Sequence, residues 1–277
     1  MPIELVREAV FLGVGRFRST VEVSWPSGRF VVSTADMDVS RRTFVSGPYG
    51  LDRLLRAAEL VERETGRAIA GREVLEVGAN IGTTTVPLLT VLGASRVHAF
   101  EPVPRNLALL ERNVALNGLG EAVTVHASAI SERPGTVSLT LPDRFWGSSR
   151  VSTGQPGPVH TARCRTIDEL IAQRTIDPER LALVWIDVEG HEASVLRGAT
   201  TLPPTPLVLE HDRDQHGDIT ELHRLLGTAV LYDLASGERT DTERLGREPA
   251  KPTDLLVLPQ RCIVTRSRPA RKAGGGQ

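Results

Sequence analysis

The stretch Val74-Leu75-Glu76-Val77-Gly78-Ala79-Asn80-Ile81-Gly82 constrains the fold of this chain more than any other segment. An apolar run of strand type carries one acid and ends in a turn with Asn80 between two glycines. It then passes through Thr83, Thr84 and Thr85 into a helical pattern. Strand-to-helix turns of this kind form the ligand-receiving edge of open α/β sheets. A turn that binds pyrophosphate usually reads G-x-G-x-x-G and offers bare backbone N–H groups to negative charge. Here Glu76 brings a carboxylate close to that place, which suits a ligand carrying positive charge.

From residue 72 onward, strand and helix patterns alternate. Strands are predicted over 73–77, 96–100, 123–126, 181–186 and 207–209, and helices over 84–92, 104–117 and from 191. Pro87 must then sit in the first turn of its helix, because an interior proline removes a backbone donor. Asn117-Gly118 is a helix stop. Segments 229–232 and 254–258 are expected to close the sheet as an antiparallel pair. Ahead of this lies an extension, 1–70, with a hairpin over 20–32 and a helix over 51–65. Residues 131–180 read as an insertion, with an extra hairpin suggested by the alternation over 135–141 and a Gly-, Ser- and Pro-rich loop over 143–158. The main domain is expected to span 71–265, and the basic tail 266–277 to be disordered.

Alternating strands and helices imply a mostly parallel sheet with ligands beyond its carboxyl ends. The polar residues at those ends are therefore the candidates. At the first, Gly78 and Gly82 permit a tight turn, while Asn80 tolerates left-handed backbone angles and can hydrogen-bond. Thr83 is placed to cap the helix or hold a carboxylate. At the second, Glu101 follows the turn by about twenty residues, the spacing of an acid that accepts from ribose hydroxyls. At the third, Ser128 and Ala129 leave room for a flat ring. Together these favour S-adenosylmethionine, which carries an ammonium and a sulfonium, over NAD. At the fourth end, Asp187, Glu189, His191 and Glu192 lie within six residues. Burying unpaired charge is costly, so these groups should face a polar crevice or one another. Asp187, Glu189 or His191 is the candidate proton acceptor. The plain alternative leaves Glu192 as a helix cap and His191 exposed. Glu210 and His211, at the fifth end, are candidates for substrate binding. Asp187, Glu189, Glu210 and His211 could also ligate a divalent cation, but no spacing here is a metal signature, and a metal-free site is expected.

The net charge of −1 and the 4% aromatic content argue against a nucleic-acid partner. No apolar run has the length of a membrane span. Cys164 and Cys262 lack C-x-x-C spacing, and the start of the chain lacks the basic-then-apolar order of a signal peptide. A cytoplasmic location and two plain thiols are expected. A small molecule is the expected substrate, with homodimerisation left open.

Four ordered blocks, VLEVGANIG at 74–82, AFEPVPRNLALLERNVALNG at 99–118, IDVEGHEASVLRGA at 186–199 and LVLEH at 207–211, resemble the FkbM family of S-adenosylmethionine-dependent methyltransferases. The resemblance implies a class I methyltransferase fold, a Rossmann-like three-layer sandwich on a seven-stranded sheet with an antiparallel last strand. It also implies O-methylation, often of sugar or microbial secondary-metabolite hydroxyls. Family members commonly have Asp where Glu76 stands. The family pattern is loose at His191.

Overall fold

The computed structural model describes residues 2–152, 158–211, 219–247 and 253–263. The expected disordered tail lies outside them. The chain opens with α1 (Ile3–Val14), the hairpin β1 (Thr20–Trp25) and β2 (Gly28–Ser33), α2 (Val39–Ser46) and α3 (Leu51–Thr65). Next come β3 (Glu73–Val77), α4 (Thr85–Thr90), β4 (Arg96–Phe100), α5 (Pro104–Leu116) and β5 (Val123–His126). The middle region holds β6 (Ala129–Ile130), β7 (Gly135–Thr140), β8 (Arg150–Val151), β9 (Val159–Arg165) and α6 (Ile167–Ala172). The rest is β10 (Leu181–Ile186), α7 (Glu192–Arg197), β11 (Leu207–His211), α8 (Ile219–Leu226), β12 (Ala229–Asp233), β13 (Arg239–Thr240), α9 (Thr242–Arg247) and β14 (Thr253–Pro259).

The central sheet runs β13-β12-β14-β11-β10-β3-β4-β5. Strands β5, β4, β3, β10 and β11 are mutually parallel, while β14 inserts antiparallel between β11 and β12. Seven strands are those expected of a class I methyltransferase; the eighth, β13, is a two-residue edge strand on β12. All residues of β3 and β10 are buried, as central strands covered on both faces must be. One apolar layer joins α3, α4 and α5 to one face, with Leu54, Leu60, Leu88 and Leu110 against Val74, Val97 and Leu183. The other face packs Leu75, Phe100, Val184 and Ile186 against Ile167, Leu170 and Val195. Pro104 at the first position of α5 loses no intrahelical bond, and Gly118, at φ +69°, follows its end. Helix α4 is shorter than predicted and holds Pro87 near its start.

The opening segment is fastened to this sandwich. The side-chain amide of Asn113 accepts from Val31 N at 2.6 Å and donates to Val31 O and Ile81 O at 3.2 and 2.8 Å. Asn117 pairs with both backbone groups of Arg29 at 2.9 and 2.7 Å. Two amides, one on α5 and one at its C-terminal cap, thus satisfy the free edge of β2, as a neighbouring strand would.

In the region after β5, strand β7 has an antiparallel neighbour on each edge. It pairs antiparallel with β9, from Gly135 against Cys164 to Thr140 against Val159, and carries β8 on its other edge. With β6 parallel to β9, this makes a separate four-stranded sheet. The sequence hides β9 because its inward positions are the small Ala162 and Cys164, while Val159 is exposed. Cys164 and Cys262 are free thiols. Among the described residues, no helix is long and apolar enough to cross a membrane.

Candidate active site

The carboxyl ends of β3, β4, β5 and β10 open onto one cleft enclosing about 1050 Å3 of empty space, open solvent at its mouth included. Its floor is the turn after β3. Gly78, Asn80 and Gly82 all adopt left-handed backbone angles, at φ +92°, +51° and +87°. Gly78 N and Ala79 N both donate to Phe100 O, at 2.9 and 3.0 Å, tying the turn to the end of β4.

Glu101 joins the two strand-end turns. Its Oε2 accepts from Asn80 N and its Oε1 from Val103 N, each at 2.8 Å. Each oxygen keeps a second lone pair, so the carboxylate can still accept from two vicinal hydroxyls in the cleft that it lines. Burial pushes this carboxyl up to about 7, against the lowering effect of the two backbone bonds. Asn80 Oδ1 and Asn106 Oδ1 are buried without a hydrogen-bond partner, and both residues line the cleft. Orphaned acceptors of this kind fit a ligand rich in N–H and O–H donors, as an aminoacyl nucleoside is. At the far side stand Phe100, Ser128, Ala129 and Ile130. The Phe100 ring is backed by His126, with centroids 4.1 Å apart and planes 9° from parallel. Burial drives His126 down to about 4, so this support is a neutral imidazole.

Glu76 departs from its expected position. It is 1% exposed, does not line the cleft, and accepts from Thr85 Oγ1 at 2.6 Å. Its carboxylate lies beneath the turn, where it fixes the first residue of α4, and no direct grip on a cationic ligand follows from that placement. Burial raises it to about 8, with Glu101 adding to the rise. Gly82 also stays off the wall; a Cβ there would meet Leu110 Cδ1 at 2.9 Å, so its bareness serves helix packing. Gly78 lines the cleft, yet the group that excludes a side chain there is Asp187 O, at 1.9 Å from an ideal Cβ. Of the three threonines, Thr83 and Thr84 face the cleft.

At the end of β10, Asp187, Glu189 and His191 line the same cleft. Asp187 N donates to Val77 O at 2.9 Å, and the buried Glu192 accepts from Val188 N at 3.2 Å. Glu192 thus braces the loop from within. Glu189 is held at φ +52°, a strained angle for a residue with a side chain. Burial, with Glu210, Asp254 and Glu189 nearby, raises Asp187 well above the carboxylate range, and Arg53 opposes this. Burial, then Glu210, Glu192 and Asp38, raises Glu189 to about 8. His191 shares a hydrogen bond with Ser131 Oγ at 2.9 Å and is lowered by burial. Asp187, Glu189 and Glu210 each offer an oxygen, all within 4.8 Å of one another. His211 is buried, does not join that trio, and like Glu210 is not on the cleft wall.

The roof comes from segments that sequence reasoning left without a role. Asp38, Tyr49 and Arg53 descend from the opening segment, and Trp146, Ser149 and Arg150 from the region after β7. The two are clasped: Trp146 N donates to Asp36 Oδ1 at 3.1 Å and Met37 N to Arg144 O at 2.7 Å. Arg53 is paired with Asp254 on β14, and its guanidinium lies 4.8 Å from the centre of the Tyr49 ring. The only signal that pointed here was the position of the insertion beside a crevice.

The raised acids give the apo-protein a pH signature. Glu76, Glu101 and Glu189 sit at about 8, 7 and 8 in the folded chain, against an ordinary glutamate value of 4.5. Between these limits the native state holds protons that the unfolded chain has released, so stability falls as pH rises. The contribution is fullest below about 4.5 and is lost by about 8. Thermal melts of the ligand-free protein should therefore show a falling midpoint from pH 6 to pH 8.5 or so. A midpoint that climbs over that range would contradict the burial of these acids.

A doubly wound sheet with an antiparallel strand between its last two parallel positions, and a cleft at its switch point with an acid on the second strand end, define the architecture of class I S-adenosylmethionine-dependent methyltransferases. The profile of the methyltransferase FkbM domain matches residues 76–227. The chain belongs to this family. Similar proteins include Methyltransferase 1 of Beauveria bassiana (strain ARSEF 2860), 24% identical over 143 residues that cover 45% of this chain and 57% of that protein. Methyltransferase sdnD of Sordaria araneosa is 27% identical over 153 residues, covering 45% of this chain and 59% of that protein. The chain thus spans less than two thirds of the length of these curated relatives. Among solved structures, a SAM-dependent methyltransferase from Agrobacterium tumefaciens aligns with a TM-score of 0.44 at 12% identity, covering 87% of this chain and 70% of that one.

Proposed function

We propose that this protein transfers a methyl group from S-adenosylmethionine to a hydroxyl of a small molecule, a sugar or a related hydroxyl-rich natural product. The observation that carries this reading is the meeting, in one cleft, of a ribose-type acid, Glu101, with a pair of poorly solvated acids, Asp187 and Glu189, whose burial raises them above the carboxylate range. When bound, the cofactor supplies an electrophilic methyl on a sulfonium that leaves as a neutral thioether. The chain's own residues orient the partners and take up a proton. Glu101 holds the ribose hydroxyls, Asn80 and Asn106 offer acceptors to the donor groups of the cofactor, and Phe100, Ser128 and Ala129 flank the adenine. The acceptor hydroxyl lies beside Asp187 and Glu189. As the new C–O bond forms, its proton passes to one of these carboxylates. Asp38, Tyr49, Trp146 and Arg150 mix hydrogen-bonding groups with two aromatic faces on the remaining wall, a combination that suits a polyhydroxylated ring.

Binding tests the cofactor half of this reading. Glu101→Ala should weaken S-adenosylhomocysteine about 10- to 100-fold in a calorimetric titration, since charge-assisted hydrogen bonds are lost. Unchanged affinity would remove the ribose assignment. A thermal-shift comparison of S-adenosylhomocysteine with NAD separates this reading from an oxidoreductase on a similar sheet. Transfer of labelled methyl to a panel of sugars, polyketides, carboxylates and amines tests the acceptor half; labelling of amines or carboxylates alone would refute hydroxyl methylation.

A further inference from the structure

Helix α1 is turned the wrong way round for a lone surface helix. Two of its charged residues, Arg7 and Glu8, face the body of the protein. Glu8 takes a bidentate bond from Arg41 Nη1, at 2.9 and 2.6 Å. Arg7 lies over the Trp25 ring at 4.1 Å from its centroid. Phe11, 1% exposed, anchors the same side against Phe44, with ring centroids 5.4 Å apart. At 100° per residue, the opposite side comprises Leu12, Leu5, Ala9, Gly13, Val6, Val10 and Ile3, with no charge among them. Ile3 is 70% exposed and Leu5 57%, with Val6, Val10 and Leu12 each more than two-fifths exposed. Phe17, in the turn that follows the helix, is 88% exposed.

An apolar face of this kind in contact with water marks a docking surface. The six large side chains together expose on the order of 600 Å2, at the top of the range for the largest apolar patch on a monomer and about three-quarters of one partner's share of a standard interface. Doubled across a two-fold axis, this reaches ~1,200 Å2, the lower bound for a specific pair. The middle of the face is its second feature. Ala9 and Gly13 lie one turn apart at its centre, both exposed, and a Cβ on Gly13 would meet nothing within 4 Å. Small residues between larger ones form a groove into which a second helix can settle, ridge into groove. A lipid surface calls for large apolar side chains throughout, whereas the centre of this face is the small pair Ala9 and Gly13.

We propose that this face of α1 packs against the same face of a second copy of the chain, forming a two-fold symmetric dimer with Ala9 and Gly13 at its axis. An uncharged apolar face can meet its own copy across a two-fold axis without placing like charges together, as an isologous interface requires. It lies outside the cleft, so the proposal stands or falls apart from the proposed chemistry.

Sedimentation equilibrium or light scattering on the full chain provides the test. The expected mass is twice the 30.1 kDa of the monomer. The double variant Val6→Glu/Val10→Glu introduces exposed charges that the isolated fold tolerates, and should weaken self-association on the order of 100-fold, because unpaired carboxylates would enter an apolar seam. S-adenosylhomocysteine affinity and the far-ultraviolet spectrum should stay as in the parent. As a second variant, Ala9→Cys should be captured as a covalent dimer by a short bis-maleimide at micromolar protein. A monomeric parent at about 100 μM overturns the proposal. So does a dimer that resists the double variant, or a monomer whose α1 face sediments with lipid vesicles and loses that binding on charge insertion.

Discussion

Gly78→Ala should lower the unfolding free energy by about 3–5 kcal/mol and abolish binding of S-adenosylhomocysteine. Two effects add at this position. The backbone is held at φ +92°, where a side chain brings strain of about 1–3 kcal/mol. The larger effect is steric. An ideal Cβ would lie 1.9 Å from Asp187 O and 2.9 Å from Asp187 C, and backbone atoms cannot yield as a flexible side chain can. Relief requires the ends of β3 and β10 to part, which strains the bond from Asp187 N to Val77 O and the pair from Gly78 N and Ala79 N to Phe100 O. Those bonds fix the turn that presents Asn80 and Thr83 and set the place of Asp187, so stability and ligand binding fail together. Gly118→Ala is the control. It shares a positive φ, +69°, but a Cβ there meets nothing within 4 Å, and it should lose only about 1 kcal/mol. Urea titrations of both variants measure the difference. Equal losses would mean that the contact with Asp187 is not what demands a glycine.

The example also marks how far the sequence could be read. A glycine-spaced turn after an apolar strand was legible, because left-handed angles and apolar periodicity are local properties. What the glycine faces was not. Position 78 is bare because a neighbouring strand, more than a hundred residues on, passes close to it, and nothing local encodes that approach. Glu76 illustrates the same limit. Its place in the strand suggested a ligand contact, yet a strand residue points to one of two faces, and Thr85 in the next helix takes up its carboxylate. Glu101 was legible because its position at a strand end, in sequence with the turn, is itself the geometry. The parallel core was readable from two-sided apolar runs such as Leu181–Ile186. The roof was not, since Asp38, Tyr49, Arg53, Trp146 and Arg150 meet through a clasp between two irregular segments. Their partners are backbone groups and side chains brought together by the fold rather than by spacing.

Asp187→Asn and Glu189→Gln should each lower turnover by about 100- to 10,000-fold if they share the proton of the acceptor hydroxyl, with S-adenosylhomocysteine affinity nearly unchanged. The pH profile says which group acts. A carboxylate takes up a proton only in its ionised form, so turnover by Glu189, at about 8, should rise with pH and level off above that value. The imidazole of His191 lies below 6.5 because burial lowers it, and a limb in that lower range would assign the proton to the histidine instead. Glu210→Gln supplies an internal check. It removes a negative charge that helps hold both Asp187 and Glu189 up, so the limb should move to lower pH without disappearing. A hard cation among the same three oxygens, which lie within 4.8 Å of one another, would act in the same direction by replacing the proton as the source of positive charge. Repeating the profile with chelator and with added magnesium distinguishes the two. A proton-sharing acid pair gives the same limb near 8 in both, whereas a limb that appears only after chelation would mean that the carboxylates serve as metal ligands and that the acceptor hydroxyl loses its proton by another route.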